Sequence, residues 1–248
     1  MLEIVAAGDY ETSMLALALA FVVGAPSGAE AVDLVDAATV QPRWRIEMVY
    51  ATAANFVGEP LYPVNRCLLR RAVVDKLVRA QLWLDAHAHG HFLVLKDCYR
   101  PASIQRRMFE RVRDTPQRGY VSDPDVAPGG VHTYGAAVDV TLADADGNEL
   151  DMGTPHDFMG RLAQPRYEDD FVRSGKLTAQ QVQNRRLLRR AMVEGGDFRT
   201  IKNEWWHFDG WRAQALTTRY RQLDVALDSS IAGMRVPVEV THEGEVRR

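Results

Sequence analysis

Cysteine is scarce in this 248-residue chain: Cys67 and Cys98 are too few for a disulfide scaffold or a zinc ribbon. They can form one bridge in an oxidising compartment or stay as two buried thiols, and the sequence leaves both open. Strong charge of one sign is also missing. The formal net charge of −3 supplies no basic field, which argues against nucleic acid as the main partner. The apolar run from Met14 to Val23 is too short for a stable membrane span. No Gly-rich phosphate loop, His-Glu-x-x-His helix or Gly-x-Ser-x-Gly elbow occurs.

Basic residues are absent from the N-terminus as well. Nothing before Arg43 is Lys or Arg, whereas Glu3, Asp9 and Glu11 are acidic. The Met14–Val23 run, followed by Gly24-Ala25-Pro26-Ser27-Gly28 and Ala29-Glu30-Ala31, otherwise resembles the apolar region and small-residue cleavage site of a secretory signal. Residues 1–31 are therefore expected to be a signal peptide or N-terminal extension, with a periplasmic or secreted product. The alternative is an ordinary packed N-terminal helix and a cytoplasmic protein.

What is present is an ordinary globular composition, 46% hydrophobic and 25% charged. Without internal repeats or linkers, one α+β domain over residues 32–228 is the simplest reading, with a peripheral tail at 229–248. Breakers at Pro42, Gly58, Pro60 and Pro63 make residues 32–64 irregular or strand-rich. Leu69, Val73, Leu77, Ala80 and Leu84 predict a helix from about Asn65 to Ala88, ended by Gly90. His91–Leu95 reads as a buried strand leading to Lys96-Asp97-Cys98-Tyr99-Arg100-Pro101. Further helices are expected near Ser103–Arg113 and from Thr178, where Thr178 and Gln181 form a capping box.

The chemistry concentrates in Gly130-Val131-His132-Thr133-Tyr134-Gly135-Ala136-Ala137-Val138-Asp139. Pro128-Gly129-Gly130 puts His132 on a loop, and Val138, Val140 and Leu142 then alternate with Asp139 and Thr141 as a strand. A carboxylate in so apolar a strand needs a partner if buried. Histidine and aspartate are both zinc ligands, and a catalytic site takes three such ligands with one open position. The plainer alternative is a loop histidine and a solvated strand-edge aspartate.

Glu204-Trp205-Trp206-His207 offers a third ligand, His207, and an acid able to take a proton from an attacking water, Glu204. Residues three apart face opposite sides of a regular strand, so joint action requires a bulge or bend. Alternatively, the two Trp residues simply pack in the core. Arg100, pinned before Pro101, is suited to hold a developing oxyanion, or it forms a surface salt bridge. The series His87, His89 and His91 straddles a helix end and reads as a decoy. His156 and His242 read as lone surface histidines, and the Arg185-Arg186 and Arg189-Arg190 pairs as a solvated helix face.

Taken together, Tyr50-Ala51-Thr52, Asn55-Phe56-Val57-Gly58, Tyr99-Arg100-Pro101, His132-x-x-Gly135-x-Ala137-x-Asp139, Met152-Gly153 with Phe158-Met159, Asn184-Arg185-Arg186 and Glu204-Trp205-Trp206-His207 resemble the VanX-type D-alanyl-D-alanine dipeptidases. These belong to the wider group of zinc D,D-peptidases, and the match spans roughly residues 45 to 208. The resemblance implies an antiparallel sheet with flanking helices and one Zn²⁺ held by His132, Asp139 and His207. It implies that Glu204 is the catalytic base and later acid, and that Arg100 stabilises the tetrahedral intermediate. It further implies that Asp157 and Tyr50 meet the free ammonium of a small D,D-dipeptide, in cell-wall peptide metabolism. The alternatives are a D,D-carboxypeptidase or endopeptidase on longer peptidoglycan peptides, and a non-catalytic zinc-binding module. Gly130 and Val131 depart from the family's serines, so a substrate contact is expected there from backbone or water.

Overall fold

The computed structural model describes residues 32–228 and 235–236, which lie within a compact unit spanning Glu30–Val238. The signal-like run, His242 and most of residues 229–248 fall outside the described residues. Within the expected tail, Arg235–Val236 pairs as a strand with Val32 and Asp33.

Eight strands and six helices are described, in chain order. They are β1 (Val32–Asp36), α1 (Ala37–Val40), β2 (Arg45–Ile46), β3 (Leu68–Arg70), α2 (Arg71–His87), β4 (Phe92–Asp97), α3 (Ala102–Val112), β5 (Ala137–Ala143), α4 (Glu168–Arg173), α5 (Ala179–Arg190), β6 (Arg199–Thr200), β7 (His207–Asp209), α6 (Ala213–Arg219) and β8 (Arg235–Val236). The fold is α+β. A five-stranded sheet runs β2-β4-β5-β7-β6, and a small sheet runs β3-β1-β8. The sheet is antiparallel except at its edge, where β2 pairs parallel with β4.

The predicted helix from Asn65 begins six residues later. Leu68, Leu69 and Arg70 pair with β1 instead, so Leu69 belongs to a strand although its spacing fits the helix. Tertiary pairing overrides local periodicity there. From Arg71 onward the predicted apolar face is buried: Val73, Leu77, Ala80 and Leu84 are inaccessible to solvent. The capping box forms as expected, with Thr178 Oγ1 accepting from Gln181 N and the Gln181 side chain accepting from Thr178 N.

Strand β5 is covered on both faces. All seven residues are buried, including Asp139 and Thr141, so the solvated strand-edge reading of Asp139 does not hold. On the neighbouring strand a register shift falls between Leu95 and Asp97. Leu95 pairs with Val140, and after the irregularity Asp97 rather than Lys96 stands opposite Asp139. An extra residue in one strand re-aims the side chains beyond it, and here it turns Asp97 to the face of Asp139. Across the other edge of β5, Asp139 pairs with His207. Three adjacent strands thus present Asp97, Asp139 and His207 in one row.

Candidate metal centre and active site

His132 comes to this row from the loop before β5. Val131–Tyr134 form a single 3₁₀ turn that ends at Gly135, whose N–H donates to the His132 carbonyl at 2.9 Å. Gly135 has φ +64°, and a Cβ there would lie 2.7 Å from Leu34, so conformation and space both call for glycine. The turn delivers His132 Nε2 to 3.2 Å from His207 Nδ1 and 3.3 Å from Asp139 Oδ1. His207 Nδ1 is 3.0 Å from the same oxygen. The three side chains are buried and offer a triangle of ligand atoms able to hold a metal ion.

The outward atom of each candidate ligand is also held. His132 Nδ1 donates to the Cys98 carbonyl at 2.6 Å. His207 Nε2 lies 2.8 Å from Asp209 Oδ1, and Asp139 Oδ2 lies 3.2 Å from His156 Nε2. Such outer contacts fix tautomer and orientation in metal centres. Burial works against charge on Asp139, but His132, His156 and His207 outweigh it and hold its pKa well below the usual carboxylate range. Burial likewise opposes charge on His207, yet Asp209 and Asp139 raise its pKa well above the ordinary histidine value.

Glu204 precedes β7 in an irregular segment, which supplies the bend that residues three apart require. Its Oε2 lies 3.9 Å from His207 Nδ1. Burial first, then Asp139 and Asp157, push its pKa up to about 7, against the opposing pull of His207 and His156. Trp205 and Trp206 are buried beside it, so packing and clustering occur together.

Arg100 is buried and paired inside the site with Asp97, a residue 0% exposed, so it is not a surface salt bridge. Burial opposes its charge, but Asp97 leads the groups that raise its pKa well above the ordinary value. Gln105 Oε1 accepts from Arg100 Nη1 at 2.7 Å. That same oxygen lies 2.7 Å from where a Cβ on Gly130 would stand. The Gln105 amide therefore fills the space that a side chain at position 130 would need.

Tyr50 and Asp157 meet on the same cavity, with the Tyr50 hydroxyl donating to Asp157 Oδ2 at 2.6 Å. Burial, and next Asp157, push the Tyr50 pKa well up, so it remains a phenol donor. Asp157 has φ +61°, an uncommon backbone for a residue other than glycine. Burial raises its own carboxyl pKa. The cavity measures about 310 Å³ and is lined by Tyr50, Arg100, His132, Asp157, Glu204 and His207 among others.

Every residue singled out for this site therefore borders one hollow or its ligand triangle. The histidines of the His87 series do not join it; their Nδ1 atoms each face a backbone carbonyl. Arg185 is no solvated residue either: fully buried, it donates to the Met152 and Leu162 carbonyls. Cys67 and Cys98 are joined by a disulfide. Three residues of the site are not placed in it by the sequence: Asp97 and Asp209, which carry no reading there, and His156, which reads as a surface histidine. Asp209 was accessible in principle, because it shares a strand face with His207 two positions away. His156 is not a surface histidine, since its side chain is only 8% exposed.

A family model described as peptidase M15, D-Ala-D-Ala dipeptidase, matches residues 30–226. The chain belongs to this family. It is accordingly a peptidase, a hydrolase of peptide bonds. A D-alanyl-D-alanine dipeptidase of Escherichia coli (strain K12) is 36% identical over 177 residues, covering 71% of this chain and 84% of that protein. One from Enterococcus faecalis (strain ATCC 700802 / V583) is 34% identical over 182 residues, covering 67% of this chain and 84% of its own length. Another, from Enterococcus faecium, is 30% identical over 182 residues with the same coverages. Among the described residues no helix is long and apolar enough to cross a membrane.

Proposed function

We propose that this family member is a zinc dipeptidase that hydrolyses D-Ala-D-Ala or related D,D-dipeptides in cell-wall peptide metabolism. The observation that carries the reading is the triangle of His132 Nε2, Asp139 Oδ1 and His207 Nδ1, with edges of 3.0, 3.2 and 3.3 Å. Tetrahedral zinc with bonds of about 2.0–2.1 Å holds its ligand atoms roughly 3.3 Å apart, so the donor set and its spacing both fit. Bound there, zinc supplies a Lewis acid for the scissile carbonyl and lowers the pKa of water toward neutrality.

The remaining steps belong to side chains. Glu204, with its Oε2 3.9 Å from His207 Nδ1, is placed to take a proton from the attacking water and return it to the leaving amine. Arg100, held charged by Asp97, is placed to receive negative charge developing on the carbonyl oxygen. Asp157, fixed by the Tyr50 hydroxyl, offers a carboxylate to the substrate's free ammonium. A buried anion at that end favours a free dipeptide over a chain extended at its amino end. The signal-like N-terminus supports a periplasmic or secreted location.

The test is hydrolysis of D-Ala-D-Ala and of its N-acetyl derivative by the zinc-loaded protein, with Glu204→Ala as control. Turnover of the free dipeptide is expected, with a loss of roughly 10²–10⁴-fold in the variant and no loss of zinc. Preference for the acetylated peptide would replace the dipeptidase reading with a carboxypeptidase one. Full activity of the variant would remove Glu204 from its role.

A further inference from the structure

His156 stands between two carboxylates that the proposed reaction uses for different ends. Its Nε2 is 3.2 Å from Asp139 Oδ2, the oxygen turned away from the ligand triangle. Its Nδ1 is 3.6 Å from Asp157 Oδ2 and is buried without a hydrogen-bond partner. The ring is confined by Trp206 and Tyr50, at centroid distances of 5.3 and 6.5 Å. His156 lines the neighbouring cavity, not the one shared by Glu204 and Arg100, so it reaches the reaction only through the two aspartates.

A histidine kept only for packing would be expected to satisfy both nitrogens or leave one in water. Here one nitrogen bonds a candidate ligand and the other is directed at the carboxylate assigned to the ammonium. The backbone reinforces the link, because Asp157 follows directly and carries the positive φ. The loop on the other side is anchored by Thr154, whose hydroxyl accepts from Trp205 Nε1 at 2.8 Å. Little freedom is left for the ring to move without moving Asp157.

We propose that His156 is a positioning residue for both carboxylates: through Nε2 it orients Asp139 toward the metal, and through Nδ1 it backs Asp157 for the substrate's ammonium. Donation to Oδ2 leaves Oδ1 as the oxygen presented to the triangle, the arrangement by which outer contacts tune a metal ligand. The Asp157 half rests on the dipeptidase reading; the Asp139 half needs only a bound metal.

Two substitutions separate the halves, because an asparagine amide can stand in for Nδ1 and the longer glutamine amide for Nε2. Zinc affinity would be measured by competition with a chelating dye, and kcat and KM for D-Ala-D-Ala at saturating zinc. His156→Asn is expected to weaken zinc binding by about 10–100-fold while KM stays close to wild type. His156→Gln is expected to keep zinc affinity and kcat but raise KM severalfold, because Asp157 loses the ring nitrogen that backs it at 3.6 Å. His156→Phe should show both defects. Wild-type affinity and KM in His156→Phe would overturn the proposal, as would equal loss of both in the Asn and Gln variants, which marks a packing role. If the wild-type protein does not cleave the dipeptide, the functional reading fails, and the zinc titrations still decide the Asp139 half.

Discussion

Asp97 grips Arg100 with a single oxygen: its Oδ2 accepts from Nε at 3.1 Å and also from Nη2. The other oxygen is no freer, since Oδ1 accepts the Tyr62 hydroxyl at 2.7 Å and the Cys98 N–H at 2.9 Å. A guanidinium pinned at two nitrogens and placed beside Gln105 has little rotational freedom, which is what an oxyanion partner needs before substrate arrives. The bulge in β4 is what makes this grip coincide with the ligand row, because Asp97 also stands opposite Asp139.

Asp97→Asn should therefore damage stability and catalysis together. Leaving a buried arginine without its counter-charge costs about 3–5 kcal/mol. Freeing Arg100 should lower kcat toward the roughly 10²–10³-fold loss seen when an oxyanion donor is removed outright. Urea unfolding and kcat at saturating substrate check this. An unchanged unfolding midpoint would mean that the pair carries no net stabilisation.

Asp209 should matter to the metal more than to the fold. It lies 2.8 Å from His207 Nε2 in a part-buried contact and is not part of the apolar core, so its loss removes the ring's outer hold rather than core packing. Asp209→Ala is expected to weaken zinc binding by about 10–100-fold, with partial recovery in Asp209→Asn, whose amide oxygen still accepts from the ring. Competition titration against a chelator reads the effect. Equal affinities in the three proteins would show that the Cys98 and His156 contacts suffice.

The metal-free protein should lose stability as pH rises through neutrality. A glutamate ordinarily titrates near 4.5, whereas folded Glu204 titrates at about 7, so between these values the folded state keeps a proton that the unfolded chain has released. The contribution is complete below the unfolded pKa and vanishes as pH climbs through the folded one. Between about pH 5 and 8 it amounts to at most about 3 kcal/mol. Glu204→Gln, measured in chelator by urea unfolding at both pH values, should show a correspondingly smaller decline. A decline equal to that of wild type would assign the whole effect to the neighbouring histidines and aspartates.

Much of the framework was legible along the chain. Alternation over Val138, Val140 and Leu142 defined β5, and four-residue spacing defined α2 beyond Arg71. Glycines around His132 marked the loop that carries it. The start of α2 was not legible: whether Leu69 is helix or strand depends on pairing with β1, a partner 34 residues earlier in register with it. The parallel edge of the sheet was hidden for the same reason, since a two-residue strand such as Arg45–Ile46 acquires its direction from its neighbour.

By itself the sequence determined which residue types stand ready: two histidines and an aspartate able to bind a metal, a glutamate three positions before His207, and an arginine pinned by Pro101. Those choices are local, written in motif spacing and in the high cost of leaving a carboxylate unpartnered in an apolar strand. Only the tertiary structure decided their company. His132 and His207 are 75 residues apart, and Asp139 and His207 are 68 apart; cross-strand register pairs Asp139 with His207, and the turn before β5 brings His132 to them. The bulge in β4 sets Asp97, the counter-charge of Arg100, opposite Asp139, and the loop after β5 puts His156 behind two carboxylates. A register shift of one residue turns a side chain to the opposite face, and no composition or spacing along a single chain records it.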